Sequence, residues 1–287
     1  MKVRQRGSGW SIKLVFNLYR LFGYKFIYYL MYPVSYFYYL KAKNVRNALV
    51  IYYKHIGKEF TPSVHHEHLR HFAICMCDRF VSVVSPEEYT FIADDIKKIE
   101  NELKKGGLLL CSHFGGWASI ANCLDNWDIQ VNIIMQEVLI QSIKSIEETL
   151  ETKKQPKIKI IDIAKEDIGV SIEIARALSN DEIVAMMADR GVSEKSKKGI
   201  EFFGDTGYFN KNPFEIAYKT QKPLNAIFIN YVKPQTYMID HIKIDINYNE
   251  KKDIEVERCM KIYAKRFETN IKKYPQDWFN FYNFWEK

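Results

Sequence analysis

The run Leu108-Leu109-Leu110-Cys111 is uninterrupted apolar chain, too short for a helix. Gly106-Gly107 precedes it and Ser112-His113-Phe114-Gly115-Gly116 follows it. That pattern predicts a buried strand. Similar runs recur at Val131–Met135, Ile158–Ile163 and Ile183–Ala188. The segments about 117–125, 137–152 and 168–179 lie between them and have helical periodicity. Strands that alternate with helices are joined by right-handed crossovers and lie parallel. Further strands are expected near 224–231 and 239–247, and a long helix from about 253 to 274. Before position 106 the pattern is helical. Residues 11–31 and 35–56 read as two helices separated by Pro33, and 63–84 as a third. A fourth carries Ile96, Ile99 and Leu103 on one face and stops at Gly106-Gly107. The expected fold is therefore α/β, a three-layer sandwich with a mixed, mostly parallel sheet and N-terminal helices. Residues 1–105 form the helical region and 106–287 the α/β domain.

Charge changes the picture at the N-terminus. The net charge is +7, yet residues 1–60 hold 11 Lys/Arg and one acid, Glu59. The same segment holds 16 of the chain's 42 aromatic residues. A basic, aromatic, amphipathic segment suits an anionic membrane surface, with packing of the tyrosines into a core as the plainer alternative. Its longest uncharged stretch, Phe26 to Leu40, has 15 residues, short of the roughly 20 needed to span a bilayer. Lying in the interface is favoured over spanning. The stretch is too apolar for an arm that binds nucleic acid, and no nucleic-acid motif accompanies it. The basic start lacks a small-residue cleavage site, and the five cysteines form no regular framework, so a reducing cytoplasm is expected.

Three places could carry chemistry. The first is Ser112 to Trp117, where a strand runs into His113 and two glycines. Ligands bind beyond the carboxyl ends of strands in open α/β sheets, and a histidine there can act as a general base near neutral pH. The plainer reading is a histidine capping a strand end. The second is Asp189-Arg190, again beyond an apolar strand, where the pair could orient the histidine or bind an anionic headgroup, or form a surface ion pair. The third is Phe202-Phe203-Gly204-Asp205 and then Asn212-Pro213-Phe214, a glycine turn and a polar loop leading into a helix. A metal is the remaining temptation, because His68, His71 and Cys75 share a helix face. A zinc site wants four ligands in closed geometry, and an ordinary amphipathic helix explains the spacing; no metal is expected.

These motifs together resemble the lysophospholipid acyltransferase superfamily, in particular its bacterial lipid A late-acyltransferase-like (lauroyl/myristoyl acyltransferase) branch. The run His113 to Ala118 is similar to the family's histidine motif. Asp189-Arg190, Phe202 to Gly204, Asn212-Pro213-Phe214 and the closing Pro275 to Trp285 follow in the family's order, and Gly9-Trp10 and Asp78-Arg79 also fit. The resemblance covers nearly the whole chain.

What the resemblance implies is acyl transfer. His113 would take a proton from an acceptor hydroxyl, which attacks an acyl thioester. The thioester is a co-substrate carried by acyl carrier protein or coenzyme A, and no cofactor is needed. The acceptor would be a lipid or glycolipid at the cytoplasmic face of the inner membrane. Asp189 would join His113 in catalysis. Phe114, Gly115, Gly116, Trp117, Arg190, Phe203, Gly204 and Asn212 would bind substrate, the Gly115 and Gly116 amides being candidates for the developing oxyanion. An apolar acyl tunnel would run from His113 into the core. The chain departs from the family at one point: the carboxylate normally five positions after the histidine is Ala118 here. Four readings stay open. Asp189 reaches the ring from a neighbouring strand end, which is favoured; the histidine works unassisted; catalysis has been lost and lipid binding kept; or the acid has been substituted. An amine acceptor, giving an aminolipid, is a further alternative.

Overall fold

The computed structural model describes residues 9–119, 124, 127–135, 158–162, 168–191 and 193–286. The expected helix over 137–152, and most of that over 117–125, fall outside them.

Three helices open the chain: α1 (Gly9–Lys41), α2 (Lys43–His55) and α3 (Pro62–Val84). The break expected at Pro33 is not there. Pro33 lies exposed inside α1, and the non-helical residue is Gly23, at φ 73° and ψ 179°. Proline removes one ladder bond, which a solvent-facing position tolerates; a positive φ needs glycine. Thr61 caps α3 by accepting a bond from the Val64 amide at 3.2 Å, with Pro62 in the first turn.

Nine strands follow among the described residues: β1 (Thr90–Ile92), β2 (Gly107–Cys111), β3 (Val131–Met135), β4 (Ile158–Asp162), β5 (Ile183–Met187), β6 (Lys197–Phe202), β7 (Asp205–Asn210), β8 (Leu224–Lys233) and β9 (Thr236–Lys243). The helices among them are α4 (Ile96–Leu103), α5 (Ile168–Ser179), α6 (Asn212–Thr220) and α7 (Lys252–Lys273). Seven strands form one sheet in the order β1-β9-β8-β2-β5-β3-β4. Neighbours run parallel except β8 and β9, which are antiparallel. The strand β1 lies in the region expected to be helical; three residues are too few to display a period of two. The loop expected between Phe202 and Asn212 is also partly strand, because β6 and β7 pair as a hairpin. Phe203 and Gly204 turn it with φ of 53° and 78°, the two positive values of the tight turn that suits strand twist.

The sheet separates two cores. In β2, Leu108 and Leu110 face one and Leu109 and Cys111 the other; Val184 and Met186 are divided in the same way from Ile183 and Ala185. This is the alternation of a strand buried on both faces. On the first side lie α2, α5, α6 and α7, contributing Tyr52, Leu178, Phe214 and Phe267 among others. On the second lie α1, α3 and α4, through Ile27, Ile74 and Leu103. The architecture is a three-layer α/β sandwich, and the N-terminal helices supply one of its outer layers.

Candidate active site

Strand register brings the two central residues together. Within the parallel pair, Cys111 of β2 lies opposite Met187 of β5. Two residues beyond each comes His113 on one side and Asp189 on the other, at the carboxyl edge of the sheet. The Asp189 carboxylate is 3.1 and 3.2 Å from His113 Nδ1 and accepts the His113 backbone N–H at 3.1 Å. Trp278 Nε1 donates to the same carboxylate at 3.3 Å. Burial pushes the Asp189 carboxyl up, but the His113 charge, its hydrogen bonds and nearby Arg190 outweigh this and hold it below the usual carboxylate range. Asp189 is therefore ionised at neutral pH. An ionised carboxylate at Nδ1 favours the tautomer with the proton on that nitrogen, the arrangement a general base requires. The His113 side chain is 28% exposed, against 4% for Asp189, so the imidazole is open to solvent while its partner is not.

The turn after His113 is held by backbone ladders on both sides. Gly115 N donates to Asp277 O at 2.7 Å and Phe279 N to His113 O at 2.9 Å. On the other side Gly116 N donates to Ile229 O of β8 at 2.8 Å. Both glycines are required by proximity: a Cβ on Gly115, which has φ 53°, would collide with Ile229 O, and one on Gly116 with the Tyr237 ring. These bonds overturn one expectation. The Gly115 and Gly116 amides are already spent on protein carbonyls, so they are not free to hold an oxyanion.

The other expected residues separate into groups. The Phe114 ring is wholly buried against Phe228 and Phe267, a core position on the inner side of the turn. Trp117 is half-buried, its ring 5.7 Å from His113 and 5.7 Å from Phe279. Arg190 is exposed beside Asp189, its guanidinium 4.5 Å from the Tyr282 ring. Asn212 is exposed at the start of α6, two residues from Asn210, whose side chain donates to Met187 O at 2.8 Å and whose amide bonds Ala188 O. Asn210 thus fixes the turn that carries Asp189. Phe203 and Gly204 lie elsewhere, at the tip of the β6–β7 hairpin, where Phe203 N donates to Glu268 of α7 at 2.6 Å. Ala118, where the resemblance implies a carboxylate, is half-buried.

Several residues of this site had no sequence signal of their own. The segment Pro275 to Phe279 is clamped by the N-terminal helices. Tyr52 donates to Pro275 O at 2.7 Å, His68 Nε2 lies 3.1 Å from Trp278 O, and His71 Nδ1 lies 2.9 Å from the Asp277 carboxylate. Asp277 also accepts the Tyr231 amide at 2.7 Å. The histidines that suggested a metal are thus committed to protein partners: His68 uses its second nitrogen on Tyr53 at 3.2 Å, and burial depresses its pKa to about 3.

A family of known proteins matches this arrangement. Residues 84–287 fit the family described as bacterial lipid A biosynthesis acyltransferase. The chain belongs to that family. No curated protein matches this acyltransferase. Among solved structures it is similar to the 1-acyl-sn-glycerophosphate acyltransferase PlsC from Thermotoga maritima, with 11% identity and a TM-score of 0.41, over 85% of this chain and 97% of that one. The family residues include both strand-end motifs and the closing Pro275 to Trp285 segment. The acyltransferase family match begins at Val84, the last residue of α3, leaving α1, α2 and the rest of α3 outside it.

Proposed function

We propose that this lipid acyltransferase moves a fatty acyl group from an acyl-carrier-protein or coenzyme A thioester to a hydroxyl of a lipid or glycolipid. The observation that carries the reading is the His113–Asp189 pair, with Nδ1 bound to a buried, ionised carboxylate and Nε2 without a hydrogen-bond partner among the described residues. In this reading Nε2 of His113 removes the acceptor proton, the acceptor oxygen attacks the thioester carbonyl, and the thiol leaves with the proton returned by the imidazolium. Asp189 stands in for the family carboxylate missing at Ala118, which favours a working enzyme over a protein that only binds lipid. Arg190 and Trp117 border the reacting groups and are the nearest candidates to contact substrate.

Membrane surface is the proposed location, on the cytoplasmic face. Helix α1 turns Leu21, Phe22, Phe26, Tyr29, Phe37 and Leu40 outward, while Ile27, Met31 and Ser35 face the protein. The exposed basic residues Arg20, Lys25, Lys41 and Lys43 border that apolar face. Among the described residues no helix is long and apolar enough to cross a membrane. An apolar face rimmed by cations binds the interface of an anionic bilayer.

The test is thioester turnover by the purified full chain, with acyl carrier protein and coenzyme A donors, with and without a lipid extract. We expect lipid-dependent thiol release that falls by roughly a thousandfold in His113→Ala. No release with any donor and acceptor would overturn the reading. Release only with amine-bearing acceptors would replace the hydroxyl by an amine.

A further inference from the structure

Among the described arginines Arg70 is buried, and Arg79 and Arg266 are half-buried. Two are matched by a carboxylate. Arg70 donates from two nitrogens to Glu67, and Arg266 from two nitrogens to Asp240. Arg79 has no carboxylate and no hydrogen bond among the described residues. Its guanidinium lies 5.6 Å from the centroid of the neighbouring Phe80 ring. Burial lowers its pKa with no acid to offset it. A guanidinium taken out of water and left unpaired is costly, and proteins keep such groups where an anion comes to them. The adjacent Asp78 does not relieve it, since that carboxylate receives Tyr89 and Tyr237 instead.

The position of Arg79 relates it to the reacting groups. It follows Phe72 by seven residues on α3, two turns and about 10 Å along the same side of the helix. Long helical side chains lean back toward the N-terminus, here toward the Cys75 and Phe72 turns. The Phe72 ring is 5.2 Å from Phe279, Phe279 is 5.7 Å from Trp117, and Trp117 is 5.7 Å from His113. An aromatic wall therefore runs from the base to the α3 side that carries Arg79.

We infer that Arg79 is a binding residue for a phosphate ester of a substrate, held at a distance from His113 along this wall. The inference rests on the acyl-transfer reading above. A guanidinium fork matches the paired oxygens of a phosphate, and its charge is permanent. Both substrates of the proposed reaction can carry that group: the donor in its pantetheine arm, the acceptor in a lipid headgroup.

The experiment compares Arg79→Met and Arg79→Lys with the unaltered full chain on matched substrate pairs. The donor pair is acyl 4′-phosphopantetheine and acyl pantetheine, which differ only by the phosphate. The acceptor pair is a phosphorylated glycolipid and its dephosphorylated counterpart. For the substrate bound by Arg79, KM should rise about tenfold more in Arg79→Met for the phosphate-bearing member than for its counterpart, with partial recovery in Arg79→Lys. A difference in the donor pair assigns the pantetheine phosphate, and one in the acceptor pair assigns the headgroup; either supports the site. Equal changes within both pairs, or none, would overturn it. If the unaltered chain turns over no thioester, the acyl-transfer reading fails separately. Protection by inorganic phosphate then decides: a rise in Tm for the unaltered chain that Arg79→Met lacks keeps the anion site, and equal behaviour removes it.

Discussion

Two histidine–aspartate pairs with buried carboxylates, among the described residues, are built in opposite ways. In both, the aspartate is buried, the histidine is partly open to solvent, and Nδ1 meets the carboxylate at about the same distance, 3.1 Å for His113–Asp189 and 2.9 Å for His71–Asp277. Yet the Asp189 carboxyl is held low, whereas burial pushes Asp277 up despite His71 and the Tyr231 amide. Asp189 receives more help: a histidine ring, that residue's own backbone N–H, an indole N–H and a neighbouring guanidinium. Backbone role differs too. Asp277 O holds the amide of Gly115, so the second pair braces the turn on which the first pair works. A shared side-chain geometry therefore says little about role; the surrounding charges and the backbone bonds decide it.

The largest effect should separate the pairs by turnover. Asp189→Asn is expected to lower thioester turnover by roughly 10²–10⁴-fold, because the ring loses its orienting charge and tautomer. Asp277→Asn can still accept the Tyr231 amide, and a loss under tenfold is expected. Equal losses in the two variants would break the comparison.

Stability should reverse that order. His71→Ala removes a partner from a fully buried carboxylate, at a cost on the order of 1–3 kcal/mol. His113→Ala should cost less, because Asp189 keeps the Trp278 indole and the residue 113 amide. Urea unfolding of both variants measures this, and a larger loss for His113→Ala would contradict the brace.

The smallest effect concerns pH and a third buried carboxylate. Asp78 is pushed up to about 6 by burial, which the bonds from Tyr237 and Tyr89 only partly offset. A carboxyl raised in the folded state gives its stabilisation fully below its unfolded value, near 4, and loses it as pH rises through about 6. Asp189, depressed, loses its contribution in the other direction, as pH falls below the ordinary carboxylate range. Asp78→Asn should therefore flatten the decline in stability between about pH 4 and 7, a change on the order of 2 kcal/mol. An unchanged pH profile of Tm would contradict the raised Asp78, and a change confined to pH below the ordinary carboxylate range would place it with Asp189.

Much of this was legible along the chain. Strands β2 and β5 show plainly, because residues buried on both faces leave no polar interruption. The meeting of His113 and Asp189 followed from two strand ends with the same offset. What escaped reading depends on contacts between distant segments. Nothing local marks His71 as the partner of Asp277, or Tyr237 as the wall behind Gly116. The hairpin turn was hidden because its first positive φ belongs to Phe203, where glycine or asparagine is the usual signal. The break in α1 was misplaced because proline is conspicuous in sequence, whereas the tolerance of a solvent-facing position is not.

The ladder between the His113 turn and the Asp277–Phe279 segment has a consequence for how the protein comes into being. A ribosome releases β2 and its histidine long before it releases the residues that close the turn. During that interval the nascent domain can form much of its sheet, since β2, β3 and β5 are already present, but the base lacks its outer ladder and its indole neighbour. Long-range closure of this kind is slow to form. Until the Asp277–Phe279 segment has been made, the His113 turn stays without its outer ladder, so the candidate site is assembled only after much of its sheet.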